Sequence, residues 1–189
     1  MRYDLAPLQE KFFRENGVIS FTPLLRDEEL SRLNDLPEST RNLWSTNPSF
    51  KSLSLSRSRA EIAALLFKTP SIRIAYDHLF TTPKNIYLPT TLTNTSSFQK
   101  ILGGLIINLG CEGTGFLPPN LGDGTYFSPK RHIPFDEMQA PGARYLLIVY
   151  CTSTAVYYRN KRDPFTHAPK DDGYNFGDCL RESTNPKLV

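Results

Sequence analysis

His132 and Arg144 stand twelve residues apart, behind the turn Gly122-Asp123-Gly124-Thr125-Tyr126-Phe127 and ahead of the apolar run Tyr145-Leu146-Leu147-Ile148-Val149-Tyr150. Imidazole is the commonest metal ligand among side chains, and the planar guanidinium fork suits both oxygens of a carboxylate. Together they could hold a metal ion and an anionic ligand. A second metal donor is harder to find. A His followed two residues later by Asp or Glu would put both side chains on one face of a strand, because strand side chains repeat every two residues. His78 is followed by Leu79-Phe80, His132 by Ile133-Pro134 and His167 by Ala168-Pro169, so the pair does not occur. His132 therefore has two readings, a lone metal ligand or a loop histidine beside Lys130 and Arg131. Arg144 also has two, an anion-binding residue or a strand-start residue salt-bridged to Asp123 or Asp136.

The remaining reactive side chains read as structural. His167, Asp171 and Asp172 would approach one another on a helix, but Pro169 and Gly173 point to a solvated loop. His78 follows Asp77 in a segment read as an amphipathic helix, where it suits a surface or capping position near the helix end. Cys151 lies in an apolar run and reads as a core thiol. Cys111 and Cys179 sit in glycine-containing loops, where a nucleophilic role would need a base and positive surroundings. Gly110-Cys111-Glu112-Gly113-Thr114-Gly115 has the glycines of a phosphate loop without its lysine, and no Gly-x-Ser-x-Gly elbow or dinucleotide fingerprint occurs.

With 189 residues, 39% hydrophobic and 12% aromatic, the chain can bury one substantial core, so a single domain over 1–189 is expected. The net charge of +3 is unevenly spread: residues 1–50 hold six Lys/Arg against eight Asp/Glu, and the rest sixteen against eleven. Only Arg159-Asn160-Lys161-Arg162 resembles a basic cluster. It reads as a solvated loop or a patch for an anionic partner. A nucleic-acid-binding or metal-responsive regulator stays open on charge alone, although no recognition-helix pattern, zinc spacing or RNA-binding signature supports it. Three cysteines without a short C-x-x-C spacing argue against a disulfide framework or structural zinc and favour a reducing, cytoplasmic setting. No run reaches the roughly 18 apolar residues of a membrane span.

The elements that must position His132 and Arg144 divide the chain in two. Leu5, Leu8, Phe12 and Phe13 predict a helix over 4–16 stopped by Gly17, and Val18–Phe21 a strand. Asp27 is placed to cap a second helix carrying Leu30, Leu33 and Leu36. Residues 37–57, with the sole tryptophan Trp44, read as a long loop or short turns. Helices are predicted over 58–68 and, opened by Pro70, through Ile72, Ile74, Tyr76 and Leu79. Strands are predicted over 85–88, 99–109, 126–127 and 143–158. A mainly helical part, 1–82, thus precedes a mainly β part, 83–189, and the fold class is α+β, with helices on one side of an antiparallel sheet or barrel.

Read in order, the chain resembles the phytanoyl-CoA dioxygenase-like proteins, a group of non-haem Fe(II)/2-oxoglutarate oxygenases. Phe12-Phe13-Arg14-Glu15-Asn16-Gly17-Val18-Ile19 is similar to that family's opening helix and strand. Leu24-Leu25-Arg26-Asp27-Glu28-Glu29-Leu30 resembles its next helix entry. Gly122–Phe127 resembles the Gly-Asp turn leading to the distal histidine, and Arg144 heads a strand as the oxoglutarate-binding arginine does. The resemblance implies a double-stranded β-helix, a jelly-roll or cupin-like barrel of two facing sheets with the N-terminal helices packed on one side. It also implies Fe(II) and 2-oxoglutarate as cofactors, His132 as distal metal ligand and Arg144 as the 2-oxoglutarate or other anion site inside the barrel. Such a site takes two His and one carboxylate on one face of the metal. Where the order predicts the first His and its carboxylate, the chain reads Thr93-Asn94-Thr95-Ser96-Ser97-Phe98-Gln99. The expectation is an oxygenase-like barrel with an incomplete metal site, holding a small anion and not acting as a conventional dioxygenase. The alternative is an active oxygenase in which His132 is joined by water, Gln99 or Asp136.

Overall fold

The computed structural model describes residues 5–33, 36–81 and 86–189. Helix α1, Pro7–Asn16, starts on Pro7 and ends where Gly17 takes φ 66°, a left-handed cap that glycine adopts without steric cost. Strand β1, Val18–Phe21, follows directly. Asp27 opens the short α2, Asp27–Leu30, as its first helical residue, while Arg26 is the cap. The expected long loop over 37–57 holds more structure than predicted: a 3₁₀ turn at Leu43–Ser45 and α3, Pro48–Ser54. Asn47 caps α3, its Oδ1 accepting from the N–H groups of Ser49 and Phe50. Helix α4 spans Arg57–Phe67.

The main correction lies at 70–80. The predicted helix is strand β2, Arg73–Phe80. Ile72, Tyr76 and Leu79 mimic helical spacing because β2 is buried on both faces, and such strands read as nearly continuous apolar runs. A bulge between Ile74 and Tyr76 also breaks the alternation that would have revealed a strand. His78 is correspondingly not a surface residue. It is 5% exposed, with its ring stacked 4.3 Å from that of Phe80. The strand predicted over 85–88 is irregular at residues 86–88, and Asn85 lies outside the described residues.

After α5, Leu92–Thr95, come β3, Ile101–Asn108, β4, Gly124–Phe127, α6, Phe135–Met138, and β5, Tyr145–Cys151. β5 ends seven residues before the predicted Tyr158, and a turn follows. The five strands form one antiparallel sheet in the order β1-β4-β3-β5-β2. β2, from the half expected to be helical, pairs with β5 along its length. The outer edge of β2 is covered: Leu79 N–H bonds the Thr40 carbonyl, and Leu188 N–H bonds that of Ile72. An edge strand so covered offers no free ladder to another chain.

The sheet is buried on both faces. One face, with Ile19, Tyr126, Leu105, Ile148 and Leu79, packs against Phe13, Phe50, Leu53, Ile62 and Leu66 of the helices. Each such fully buried side chain contributes roughly 1.5–3 kcal/mol. The other face carries Phe80, Ile106, Phe127, Leu147 and Val149. It is covered by the short helices α5 and α6, which supply Leu92, Phe135 and Met138, and by loops that supply Phe98, Ile133 and Tyr157. In this covering layer the β-pairing among the described residues consists of isolated bridges, Phe98 with Tyr157 and Val156 with Cys179. No helix among the described residues is long and apolar enough to cross a membrane.

Candidate functional site

The face away from the helices is where a barrel site would open, and there the sheet is filled. A Cβ built on Gly104 would come within 2.5 Å of the Phe127 ring, so that ring lies directly on the middle of β3. Phe116 packs on Phe127 edge to face, at 5.5 Å. Beside β2 the filling is polar and aromatic together. The Arg41 guanidinium lies 4.1 Å from the ring centres of both Tyr76 and Phe165. Its Nη1 is 3.4 Å from Asp163 Oδ1, with the two side chains 11% and 1% exposed. Ser97 donates to Asp163 Oδ2 at 2.8 Å and lies the same distance from the Thr166 hydroxyl. Asn160 Nδ2 donates to the carbonyls of Asn94 and Ser96, both at 2.8 Å. Burial pushes the Tyr76 phenol well above its usual range; Arg41 alone acts in the other direction.

This network takes in the segment 93–99. The carbonyls of Asn94 and Ser96 and the hydroxyl of Ser97 are joined to the 160–166 loop, which folds over them. Sequence reasoning singled out the segment but missed Arg41 and Asp163. Asp163-Pro164 carries a turn signal, whereas nothing near Arg41 marks it for burial.

His132 and Arg144 are both exposed. His132 sits between exposed Arg131 and buried Ile133, in the turn before α6. Arg144 is at the head of β5, its Nη1 reaching 4.0 Å from where a Gly110 Cβ would stand. Neither expected partner pairs with it: Asp123 Oδ2 accepts from the backbone and side chain of Asn120, and Arg144 makes no ion pair among the described residues. Next to it opens a cleft of about 270 Å³ lined by Cys111, Glu112, Glu137 and Tyr145. The backbone N–H of Arg144 points at Cys111 Sγ, 3.3 Å away. Burial, reinforced by Cys111, raises the Tyr145 phenol above its usual range. Cys151 is fully buried and its thiol is pushed up to about 12 by burial, as expected of a core thiol. His167 and Asp172 are exposed, on either side of a 3₁₀ turn at Ala168–Lys170. Among the described residues, no three His, Cys, Asp or Glu side chains come together as a group able to hold a metal ion.

No family model matches the sequence, and no curated protein matches it in sequence. Solved structures do match. SnoK, a non-haem α-ketoglutarate-dependent carbocyclase from nogalamycin biosynthesis, superposes with a TM-score of 0.74 at 13% identity, over 98% of this chain and 97% of its own. The epimerase SnoN, solved with Fe³⁺, α-ketoglutarate and nogalamycin RO, gives 0.71 at 12% identity, over 96% and 98%. This chain shares the fold of SnoK and SnoN. Iron-bound HygX from Streptomyces hygroscopicus is similar at lower overlap, with a TM-score of 0.56 at 12% identity over 95% and 98%. At such identities the likeness concerns the course of the backbone.

Proposed function

We propose that this chain is an oxygenase-fold binding protein that does not carry out conventional Fe(II)/2-oxoglutarate dioxygenase chemistry. We read it as a divergent phytanoyl-CoA dioxygenase-like protein whose double-stranded β-helix is reduced on one side to bridges and loops. A facial site on Fe(II) takes two imidazoles and a carboxylate, and the donor set here does not fit it. His132 and His167 are exposed on separate loops, and His78 is stacked on Phe80 and packed edge-on against Phe165. The observation that carries the reading is the commitment of Asn94, Ser96 and Ser97 to Asn160, Asp163 and Thr166. Where the family pattern calls for a metal pair, the polar groups are neutral and already hydrogen-bonded inside the protein.

In this proposal Arg144 remains the anion-binding residue, now at the open end of the sheet. Glu112 and Glu137 in the adjoining cleft oppose a dianion, so a small monocarboxylate fits better than 2-oxoglutarate. The Arg159–Arg162 segment reads as structural: Asn160 is buried and Arg162 donates to Asn94 Oδ1.

Calorimetric titration of the whole chain with Mn(II) and 2-oxoglutarate tests the proposal. Neither should bind, and Fe(II) should support no 2-oxoglutarate turnover. Metal-dependent 2-oxoglutarate binding that His132→Ala abolishes would sink it. Acetate is the probe for the anion: saturable binding should disappear in Arg144→Ala, and an unchanged affinity would remove Arg144 from the proposal.

A further inference from the structure

We infer that the cavity between α2 and the start of α4 is a binding site for a phosphate group, as the free ion or as a small monoester. It lies on the helix side of the sheet, and the function proposed above does not depend on it. Its volume is about 360 Å³, within the roughly 300–1,000 Å³ of small-molecule sites. Leu24 and Ile62 give it an apolar wall, and Arg26, Glu28, Glu29, Arg32, Ser58 and Arg59 complete the lining.

Arg59 carries the inference. Its side chain is 5% exposed. Nε donates to the Leu53 carbonyl, Nη2 to the Ser52 carbonyl and Nη1 to Glu29 Oε1 at 2.9 Å. A guanidinium has five N–H donors, so one on each terminal nitrogen has no acceptor among the described residues. Unmet donors on a buried cation are costly, and an oxyanion in the cavity would accept from them. The two carboxylates do not cancel this. Glu29 is already engaged, with Oε1 on Arg59 and Oε2 accepting from the Arg26 N–H. Glu28 is exposed and is one charge against two, because neither Arg26 nor Arg32 is in an ion pair among the described residues. The first turn of α4 adds to the positive side. Its cap, Ser56, makes no side-chain bond to that turn, and its hydroxyl lies 3.0 Å from that of Ser58 instead. The N–H groups of a first turn have no partner inside the helix and sit at its positive end. Donors thus come from α4, from the entry to α2 and from the turn after α2. Such a spread suits a tetrahedral phosphate better than a flat carboxylate.

Calorimetric titration of the full chain in chloride buffer, with inorganic phosphate and separately with glycerol 3-phosphate, tests the inference. Saturable binding is expected. Tighter binding of glycerol 3-phosphate assigns the site to a monoester, and equal or weaker binding assigns it to the free ion. The side chains of Arg26 and Arg32 are exposed and make no hydrogen bond among the described residues. Arg26→Gln and Arg32→Gln should therefore fold normally and each lose about fivefold in affinity. Glu28→Gln, which removes the opposing charge, should gain about the same factor. No saturable heat with either ligand up to roughly 10 mM, an affinity unchanged in either arginine variant, or one that Glu28→Gln leaves unchanged or weakens would each overturn the inference.

Discussion

Asp77 tests the packing logic of this fold most directly. It lies in β2 on the helix side of the sheet, is 0% exposed and is surrounded by α3 and the Leu43–Ser45 turn. Oδ2 accepts from Trp44 N–H at 3.0 Å and from the Ser54 hydroxyl at 2.7 Å. Oδ1 has no hydrogen-bond partner. Burial outweighs the hydrogen bonds to the carboxylate and raises the carboxyl from its usual 3.8 to about 6. The native state therefore favours the protonated form. Below pH 3.8 both folded and unfolded chains carry the proton and the group costs nothing. Between 3.8 and 6 the unfolded chain releases its proton while the folded one keeps it, so stability falls as pH rises. Above pH 6 the full penalty stands. A change of this size is worth about 3 kcal/mol. Asp77→Asn keeps the shape and an acceptor but removes the charge. Its amide oxygen accepts less strongly from Trp44 and Ser54, which costs about 1 kcal/mol at every pH. The difference in stability between variant and wild type should therefore move by about 2–3 kcal/mol in favour of the variant from pH 4 to pH 8. Urea unfolding followed by Trp44 fluorescence measures it. A difference that stays flat with pH, or moves the other way, refutes the claim that burial dominates at Asp77.

Other expectations follow from the same structure. Asp163→Ala leaves the Arg41 cation between two rings without its carboxylate and should cost about 3–5 kcal/mol. Arg41→Ala/Asp163→Ala should lose less than the sum of the single variants, and strict additivity in denaturant melts would refute the coupling. Gly104→Ala should destabilise by about 1–3 kcal/mol, since its Cβ would enter the Phe127 ring. Wild-type thermal stability in that variant would mean that the face opposite the helices is open. His132→Ala should stay within about 0.5 kcal/mol of wild type and show the same melting temperature with or without Mn(II). A metal-induced rise confined to wild type would restore His132 as a ligand.

The sequence was most readable where local rules act alone. Gly17, Asn16 and Phe12-Phe13 specify the end of α1, and the weakly alternating apolar run around Gly103-Gly104 marks β3. It failed at 70–80, because a strand covered on both faces loses the alternation that marks a strand, and the bulge at Ala75 removed what was left. It also stopped short at 37–57, where Asn47-Pro48 is a helix start that the surrounding serines obscured.

By itself, the sequence determined that no His is followed two residues later by a carboxylate, that helices and strands are both present, and that the order of its motifs resembles an oxygenase. Those are properties of residue order and short-range spacing. Only the tertiary structure decided that Ser97, Arg41 and Asp163 meet, that Phe127 lies over Gly104, and that Arg144 faces solvent at the end of the sheet. Arg41 and Asp163 are 122 residues apart. What joins them is the layer folded over β2 and its neighbours. No local periodicity encodes such a contact, because its energy exists only once both rings and the buried carboxylate have been taken out of water.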